Sequence, residues 1–589
     1  MPTIRVPASR NSSCREAKLT SWPEQYGHQS PRRKTRSTAA SRCSESVHGS
    51  PAWSRRVKSG TGMERQPRLD RGVHTRPLTI LYRYLAAMAE ETTKQTDDGY
   101  EPPAAATTSS IWSAGDTELA YTATAGWLVL RKNEKPSAEI FSISYVADEA
   151  IADRPVTFVF NGGPGASSAF LHIGAVGPKR VAFPADGSLP TLPPRLVDNE
   201  ESWLAFTDVV FVDPVGTGFS RVIDEAKKGN GETKDSAPDK DATDPKEYFG
   251  YKRDLEALSE FMSRWLSENG RWGSPVFIAG ESYGGYRVGR LARQLQETTG
   301  IGLSGAILIS PALEIGLLIP TDYDVLGWVD RLPTMAAAAV FHERSRAFDP
   351  DTALDEVLGE AEEFATGDYT RFLTRGAAMP AAEREQILGR LADLMGLPED
   401  LVVRAEGRIT MLTFARELLR DERKVLGLYD ATVTVTDPFP DRHTFTGPDP
   451  TLSGASAAYT MGINRLLRSE IGLETDREYT LLSYEINTSW KADTEQHAFA
   501  PPSGATDDFR YGMALNPYMK AFITNGRYDL VTPYYSSDRL RNLMRLDPEM
   551  VERVTVEHFG GGHMFYARQE SRRRFSEAIA TFVKDAVAP

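Results

Sequence analysis

The stretch Ala279-Gly280-Glu281-Ser282-Tyr283-Gly284 constrains this chain more than any other. It contains Gly280-x-Ser282-x-Gly284 directly after an apolar run, Pro275 to Ala279, and directly before a helix-compatible segment, Gly285 to Thr298. Strand, sharp glycine turn and helix form the setting in which this common pattern makes a nucleophile elbow rather than a purely structural turn. A serine on so tight a turn needs neighbours without Cβ atoms. The turn exposes the Ser282 hydroxyl and leaves the backbone N–H of Tyr283 free to face an oxyanion.

The rest of the chain supplies a sheet for that elbow. Gly126 to Leu130 and Glu139 to Val146 read as early antiparallel strands. Val156 to Phe160, Val209 to Val212 and Ala306 to Ser310 are short continuous apolar runs, which suit central strands buried on both faces. Leu255 to Asn269 has helical periodicity, and strands separated by helices predict a mostly parallel α/β sheet. From about Leu313 to Pro502 the pattern becomes mainly helical: Met335 to Phe348, Ala381 to Met395 and Arg408 to Lys424 carry apolar residues at three- and four-residue spacing. The sheet resumes at Lys520 to Thr524 and Val554 to His558, and Arg572 to Val587 closes the chain as an amphipathic helix. The expected organisation is a sheet domain over 88–314 and 503–589, with a helical cap over 315–502 inserted between its halves.

Charge separates the two ends. Residues 1–87 carry 17 Lys/Arg against 5 Asp/Glu, a net of +12, so the formal total of −13 leaves −25 on the remainder. The basic segment is rich in Ser, Pro and Arg and reads as a disordered extension, because it cannot bury enough apolar surface to offset ordering entropy. Its other readings are a nucleic-acid-binding arm, a transit-type peptide, or upstream sequence translated before a true start at Met63 or Met88. It has no apolar core of the secretory type. Polar stretches at Glu90 to Ser110 and Asp224 to Tyr248 read as surface segments. Both cysteines, Cys14 and Cys43, lie in the basic extension, so the acidic body forms no disulfides and cytoplasmic residence is the default expectation. No run of 18 or more apolar residues occurs, which predicts no membrane-spanning helix. The acidic body repels phosphates, so no nucleic-acid partner is expected from it.

A serine hydroxyl is a weak nucleophile until a base takes its proton, and the base needs an orienting group. On this type of sheet the acid and the histidine follow the serine in sequence, after the ends of later strands. Asn525-Gly-Arg-Tyr-Asp529 leaves the strand at 520–524, and Gly560-Gly-Gly-His563 leaves the strand at 554–558. Asp529 is therefore the expected orienter and His563 the expected base. His558 is the rival, but it sits inside the strand pattern, whereas three glycines precede His563. Asn161-Gly-Gly-Pro-Gly165 follows the strand at 156–160 and can supply a second oxyanion-binding N–H; no Lys-Ser/Thr follows, as a phosphate loop would require.

Five motifs occur in order: Phe160-Asn-Gly-Gly-Pro-Gly-Ala-Ser-Ser168, Asp213-Pro-Val-Gly-Thr-Gly-Phe-Ser220, Gly280-Glu-Ser-Tyr-Gly-Gly285, Asn525-Gly-Arg-Tyr-Asp529 and Gly561-Gly-His-Met564. Together they resemble the serine carboxypeptidase family, peptidase family S10, over roughly residues 155–315 and 515–570. The resemblance implies an α/β-hydrolase fold and removal of C-terminal residues from peptides through an acyl-enzyme. It implies Ser282 as nucleophile, His563 as base and Asp529 as its partner, with Gly163 and Tyr283 donating to the oxyanion. It further implies that Asn161, Gly162 and Glu281 bind the substrate's terminal carboxylate. Glu281 can do so only while it keeps its proton, since two close carboxylates repel; the alternative is that Glu281 braces the elbow.

Two departures from the family pattern stand out. The family's second glutamate is replaced by Ala175, and the cysteine of its Gly-Cys-Ser-Ser motif by Ala166. Lys179 and Arg180 are nearby positive charges, for which surface solvation is the first reading. The missing acid keeps two other functions open: an esterase or acyltransferase using the same triad on a non-peptide acyl donor, and a catalytically idle binding protein. Neither a metal nor an organic cofactor is expected, because no cysteine- or histidine-rich ligand spacing occurs. Peptides are the expected substrates, and oligomeric state is not encoded in any motif.

Overall fold

The computed structural model describes residues 100–149, 153–223, 245–445, 447, 449–491 and 504–588. The basic extension with both cysteines, and most of the polar stretch at 224–248, lie outside the described residues. Ten strands form the main sheet: β1 Ala106–Ala114, β2 Thr117–Lys132, β3 Lys135–Ala147, β4 Val156–Phe160, β5 Asp208–Val212, β6 Arg221–Val222, β7 Val276–Glu281, β8 Leu303–Ile309, β9 Lys520–Thr524 and β10 Val554–Val556. Their order is β1-β2-β3-β5-β4-β7-β8-β9-β10, with β6 against β3. The first three strands and β5 pair antiparallel. From β5 onward every neighbouring pair is parallel.

The apolar runs build two cores because side chains alternate across the sheet. Phe158, Phe160, Val210, Ile278 and Leu308 point to one face, where they meet Leu258 and Phe261 of helix Tyr251–Glu268 and Val288 and Leu291 of helix Tyr283–Gln294. Val159, Phe211, Phe277, Ile307 and Phe522 point to the other, where they meet Phe575, Ile579 and Phe582 of the closing helix Gln569–Val587. All five residues of β4 and all five of β5 are buried, as strands covered on both faces require. Helices on both faces of a mostly parallel sheet, with this strand order, make an α/β-hydrolase fold.

The helical stretch that separates β8 from β9 divides between two cores. Helices within 326–417 pack around their own cluster, which includes Leu332, Val357, Phe372, Leu391 and Phe414. Helix Leu452–Arg465 instead joins the main core through Ala458, Tyr459 and Ile463. Among the helices expected here, Ala381–Met395 has the bounds read from sequence. The periodic stretch from Met335 forms helix Leu332–Phe341, ended by Glu343 at φ 58°, while Phe348 reaches the same cluster from a loop. In the stretch from Arg408, Thr410 caps a short helix, Met411–Glu417, and a 3-10 turn leads into a strand at Lys424–Leu426.

β4 and β7 lie side by side, with Phe160 opposite Gly280. The glycine loop and the elbow therefore leave adjacent strand ends, in the crevice where open α/β sheets bind ligands. Arg287 locks the pieces beneath them. Buried in the elbow helix, it donates to Asp254 of helix Tyr251–Glu268 at 2.7 and 3.1 Å and to the backbone carbonyl of Asn161 at 2.6 Å. Replacing Arg287 by Met strands the Asp254 charge, and breaking such a buried pair costs about 3–5 kcal/mol. The expected result in urea unfolding is a loss of that size for Arg287→Met and a smaller loss when Asp254→Leu is added; equal losses would show that the pair is not coupled.

Candidate active site

Ser282 caps the elbow helix with φ 61° and ψ −122°, a conformation side chains rarely adopt and which is held by its surroundings. Its N–H donates to the carbonyl of Ile309 at 2.9 Å, and its own carbonyl accepts from Gly285 and Ala312. The glycines around it are sterically required. A Cβ at Gly280 would stand 2.2 Å from the Gly284 carbonyl oxygen, and one at Gly284 would stand 2.6 Å from that of Phe160. The serine itself is half-buried.

The glycine loop presses against this turn. A Cβ at Gly162 would lie 2.4 Å from the backbone nitrogen of Tyr283, so loop and elbow backbones are in direct contact. Gly163 at φ 99° takes a conformation that favours glycine. As the first residue of its helix, Tyr283 has no intrahelical acceptor for its N–H. The Tyr283 side chain points away from the crevice: its hydroxyl accepts from the Trp490 indole at 2.9 Å and its ring stacks on Tyr286.

His563 and Asp529 meet as a pair. The Nδ1 of His563 lies 2.6 Å from Asp529 Oδ2, and both side chains are buried. Asp529 accepts further bonds from the backbone of Val531 and Thr532, at 2.8 and 3.0 Å, and from the Thr532 hydroxyl at 2.6 Å. These donors hold the carboxylate so that Nδ1 is the protonated ring nitrogen and Nε2 carries the lone pair. Nε2 in turn lies 4.0 Å from Glu281 Oε1, beside the nucleophilic turn. Burial works against the imidazolium, but the Asp529 charge and hydrogen bond outweigh it and raise the His563 pKa above its ordinary 6.5.

Two of the three glycines before His563 have a steric cause. Gly561 sits at φ 112°, and a Cβ at Gly562 would fall 1.9 Å from the carbonyl oxygen of Tyr429. That carbonyl accepts the His563 N–H at 2.5 Å, and the Tyr429 ring stands edge-on to the imidazole. His558 lies beyond the end of β10 rather than within it. Its Nδ1 accepts from the Asn525 N–H at 3.1 Å and its Nε2 faces Asp538, so it braces the loop that carries Asp529.

Glu281 is 2 % exposed. Its Oε2 accepts from Asn161 Nδ2 at 2.6 Å and from the Tyr566 hydroxyl at 2.8 Å, leaving Oε1 on the His563 side. Burial drives its pKa up to about 7 against the opposing pull of His563 and the two donors. Ala175 is buried in the turn His172–Val176, and its carbonyl accepts from Asn199. Lys179 is paired with Asp198 at 2.7 Å and brings no charge to the crevice.

The structure thus brings Asp529, His563, Glu281 and Asn161 into one connected cluster, with Ser282, Tyr283, Gly162 and Gly163 on the adjoining backbone. Sequence reading missed Tyr429, Tyr566 and Arg287, whose partners are distant in the chain, and Thr532, whose hydroxyl and N–H hold Asp529 three residues before it. Among the described residues no group of three or more His, Cys, Asp or Glu has the placement to hold a metal ion. No helix of the described residues is long and apolar enough to cross a membrane.

Comparison with known proteins agrees with the motifs. Residues 115–314 match the family profile of serine carboxypeptidases, Peptidase_S10. The pheromone-processing carboxypeptidase KEX1 of Yarrowia lipolytica is 31% identical over 190 residues, covering 31% of this chain and 26% of that protein. The protein of the same name from Fusarium vanettenii is 25% identical over 304 residues, covering 49% of this chain and 37% of its own. The chain therefore spans between 16% and 37% of the length of the curated relatives it matches. A crystal structure of the prohormone-processing carboxypeptidase from Saccharomyces cerevisiae superposes with a TM-score of 0.47 at 15% identity, covering 79% of this chain and 92% of that one. The relatives are named for processing pheromones, cargo of the secretory route, and this overturns the expectation of cytoplasmic residence. A body without cysteines needs no oxidising compartment, but it is equally stable in one, so cysteine usage had no power to assign the compartment. Over residues 115–314 the chain is thus similar to the serine carboxypeptidase family.

Proposed function

We propose that this protein is a serine-type carboxypeptidase that removes C-terminal residues from peptides through an acyl-enzyme on Ser282. The observation that carries the reading is the placement of His563, with Nδ1 on Asp529 and Nε2 turned toward the residue that precedes Ser282. In the first step His563 Nε2 takes the Ser282 proton as Oγ attacks the scissile carbonyl. The tetrahedral oxyanion receives hydrogen bonds from the N–H groups of Gly163 and Tyr283, and the imidazolium returns its proton to the departing amine. Water, deprotonated by the same nitrogen, then attacks the ester and restores Ser282.

Asn161, Gly162 and Glu281 receive the terminal carboxylate of the substrate. Protonated Glu281 donates a hydrogen bond to it; ionised Glu281 repels it. In this reading residues 88–314 and 503–589 form the hydrolase domain and 315–502 an insertion, whose helices within 326–417 form the cap while helix Leu452–Arg465 packs into the hydrolase core. Ala175 supports the second reading, an esterase or acyltransferase, because it removes the acid that would share a proton with Glu281.

The two readings separate on blocked dipeptides with a free or an amidated C-terminus. A carboxypeptidase hydrolyses the free acid at least about tenfold faster in kcat/KM, the worth of one charge-assisted hydrogen bond. Equal rates would support the esterase. Ser282→Ala is expected to abolish both.

The pH profile follows from the shifted groups. Raising the pH deprotonates His563, whose pKa lies above its ordinary 6.5, and activity rises. The same rise in pH ionises Glu281 at about 7, and KM for free-acid peptides rises. The expected kcat/KM profile for free acids is a narrow bell near neutrality. Amidated substrates should lack its alkaline limb, and Glu281→Gln should remove that limb for free acids. An alkaline limb of equal size on both substrates would contradict the role of Glu281.

A further inference from the structure

Strands Lys424–Leu426 and Thr434–Thr436 pair antiparallel, and the tip of this hairpin reaches both loops that carry the acid and the base. Four consecutive tip residues make the contact. The Leu428 carbonyl accepts from the Leu530 N–H at 3.2 Å, and the Ala431 N–H donates to the Tyr528 carbonyl at 3.0 Å, so the tip holds the residues on either side of Asp529. The Tyr429 carbonyl accepts from the His563 N–H at 2.5 Å, and Asp430 Oδ2 accepts from the Gly562 N–H at 3.0 Å, so the tip also holds the base and the residue before it. The fit is close. A Cβ at Gly562 would lie 2.4 Å from the Cα of Asp430.

The tip is itself held from the insertion. The Gly427 N–H donates to the Val433 carbonyl at 2.8 Å and the Val433 N–H to that of Asp430 at 3.1 Å, which closes the turn. Asp430 Oδ1 accepts from the N–H and the hydroxyl of Thr432, at 3.0 and 2.5 Å, and the Arg568 guanidinium stands 3.3 Å from Oδ2. His342, at the end of helix Leu332–Phe341, places Nε2 2.7 Å from the Ala431 carbonyl. Leu426 and Ala431 are buried in the cluster of the cap helices, and Leu530 is buried in the same cluster. A chain of contacts therefore runs from the cap helices through the hairpin to both catalytic loops. Catalysis needs such groups held to within about 0.5 Å, which loops reach only with support from behind.

Building on the reading of Asp529 and His563 as orienting acid and base, we propose that the hairpin tip Leu428–Ala431 is the clasp that sets their pairing, with Asp430 as its positioning residue. The insertion then does more than cover the crevice: it keeps the two catalytic loops in register. Asp430 suits the task because one carboxylate ties the turn of the tip, through Thr432, to the loop of the base, through Gly562. It acts through His563 and not on the substrate. The imidazole faces Asp529 and the Thr532 hydroxyl at Nδ1, Glu281 at Nε2, and the ring of Tyr429 edge-on. If the clasp is released and Nδ1 moves away from Asp529, burial gains weight against the imidazolium and the His563 pKa falls.

The test is Asp430→Ala in the full chain, assayed on the free-acid and amidated dipeptides, with active sites counted by fluorophosphonate labelling carried to completion. The expected result is a fall of about 10- to 100-fold in kcat per labelled site, the cost of a misplaced catalytic group. KM should stay within about twofold, since no substrate contact is removed. The acid limb of kcat/KM should move to lower pH on both substrates. Asp430→Asn keeps an oxygen for the Gly562 N–H and gives up the second carboxylate oxygen. It should show a smaller fall with the same direction of shift, and it carries the test where the alanine variant does not fold. A folded variant with unchanged kcat per labelled site, or a lowered kcat with an unmoved acid limb, would overturn this inference alone, by showing that the tip only braces the fold. A wild type that neither takes the label at Ser282 nor hydrolyses either dipeptide would overturn the reading of the triad and this inference with it.

Discussion

The direct pairing of β4 with β7 is the constraint on which the site depends. With Phe160 opposite Gly280, the two chains leave the sheet next to each other, and neither can turn without meeting the other. The glycine pattern is the consequence. Gly162 must lack a Cβ because the Tyr283 nitrogen is there, Gly284 because the Phe160 carbonyl is there, and Gly280 because Gly284 is there. The backbone N–H groups that can face an oxyanion come from these same turns, so the packing of two strand ends also preorganises the donors. Arg287 fixes the arrangement from below through the Asn161 carbonyl.

Electrostatics around this backbone balance burial against pairing. Asp529 is buried and accepts four hydrogen bonds, one of them from Nδ1 of His563, which fixes the useful tautomer. Glu281 is also buried but receives only two donors, both on one oxygen, so desolvation dominates and the acid is poised near neutrality. Two carboxyl groups a few ångströms from one imidazole thus have different tasks because their hydrogen-bond shells differ.

Much of this was legible in the sequence, for local reasons. Apolar runs such as Val156 to Phe160 can be little else than buried strands, and glycine motifs at their ends mark turns where function is placed. Asp529 and His563 could be read because each follows a strand end. The groups that were not legible act across long sequence separations. Tyr429 grips the His563 backbone from the helical segment, and Tyr566 looks like one more aromatic residue until its hydroxyl is seen on Glu281. Periodicity also overran helix ends: Phe348 keeps its apolar spacing from a loop because it packs on the same cluster as the helix before it. His558 looked like a strand residue, yet β10 stops at Val556 and the imidazole serves as a hydrogen-bond brace.

The central claim is that Ser282 is a nucleophile activated by His563. Its most direct test is covalent labelling of the intact folded chain with a fluorophosphonate, followed by peptide mass mapping. The expected result is one stoichiometric adduct on Ser282, formed more slowly as the pH falls below the His563 pKa and lost in His563→Ala. Absence of labelling in folded protein, or an adduct on another residue, would contradict it.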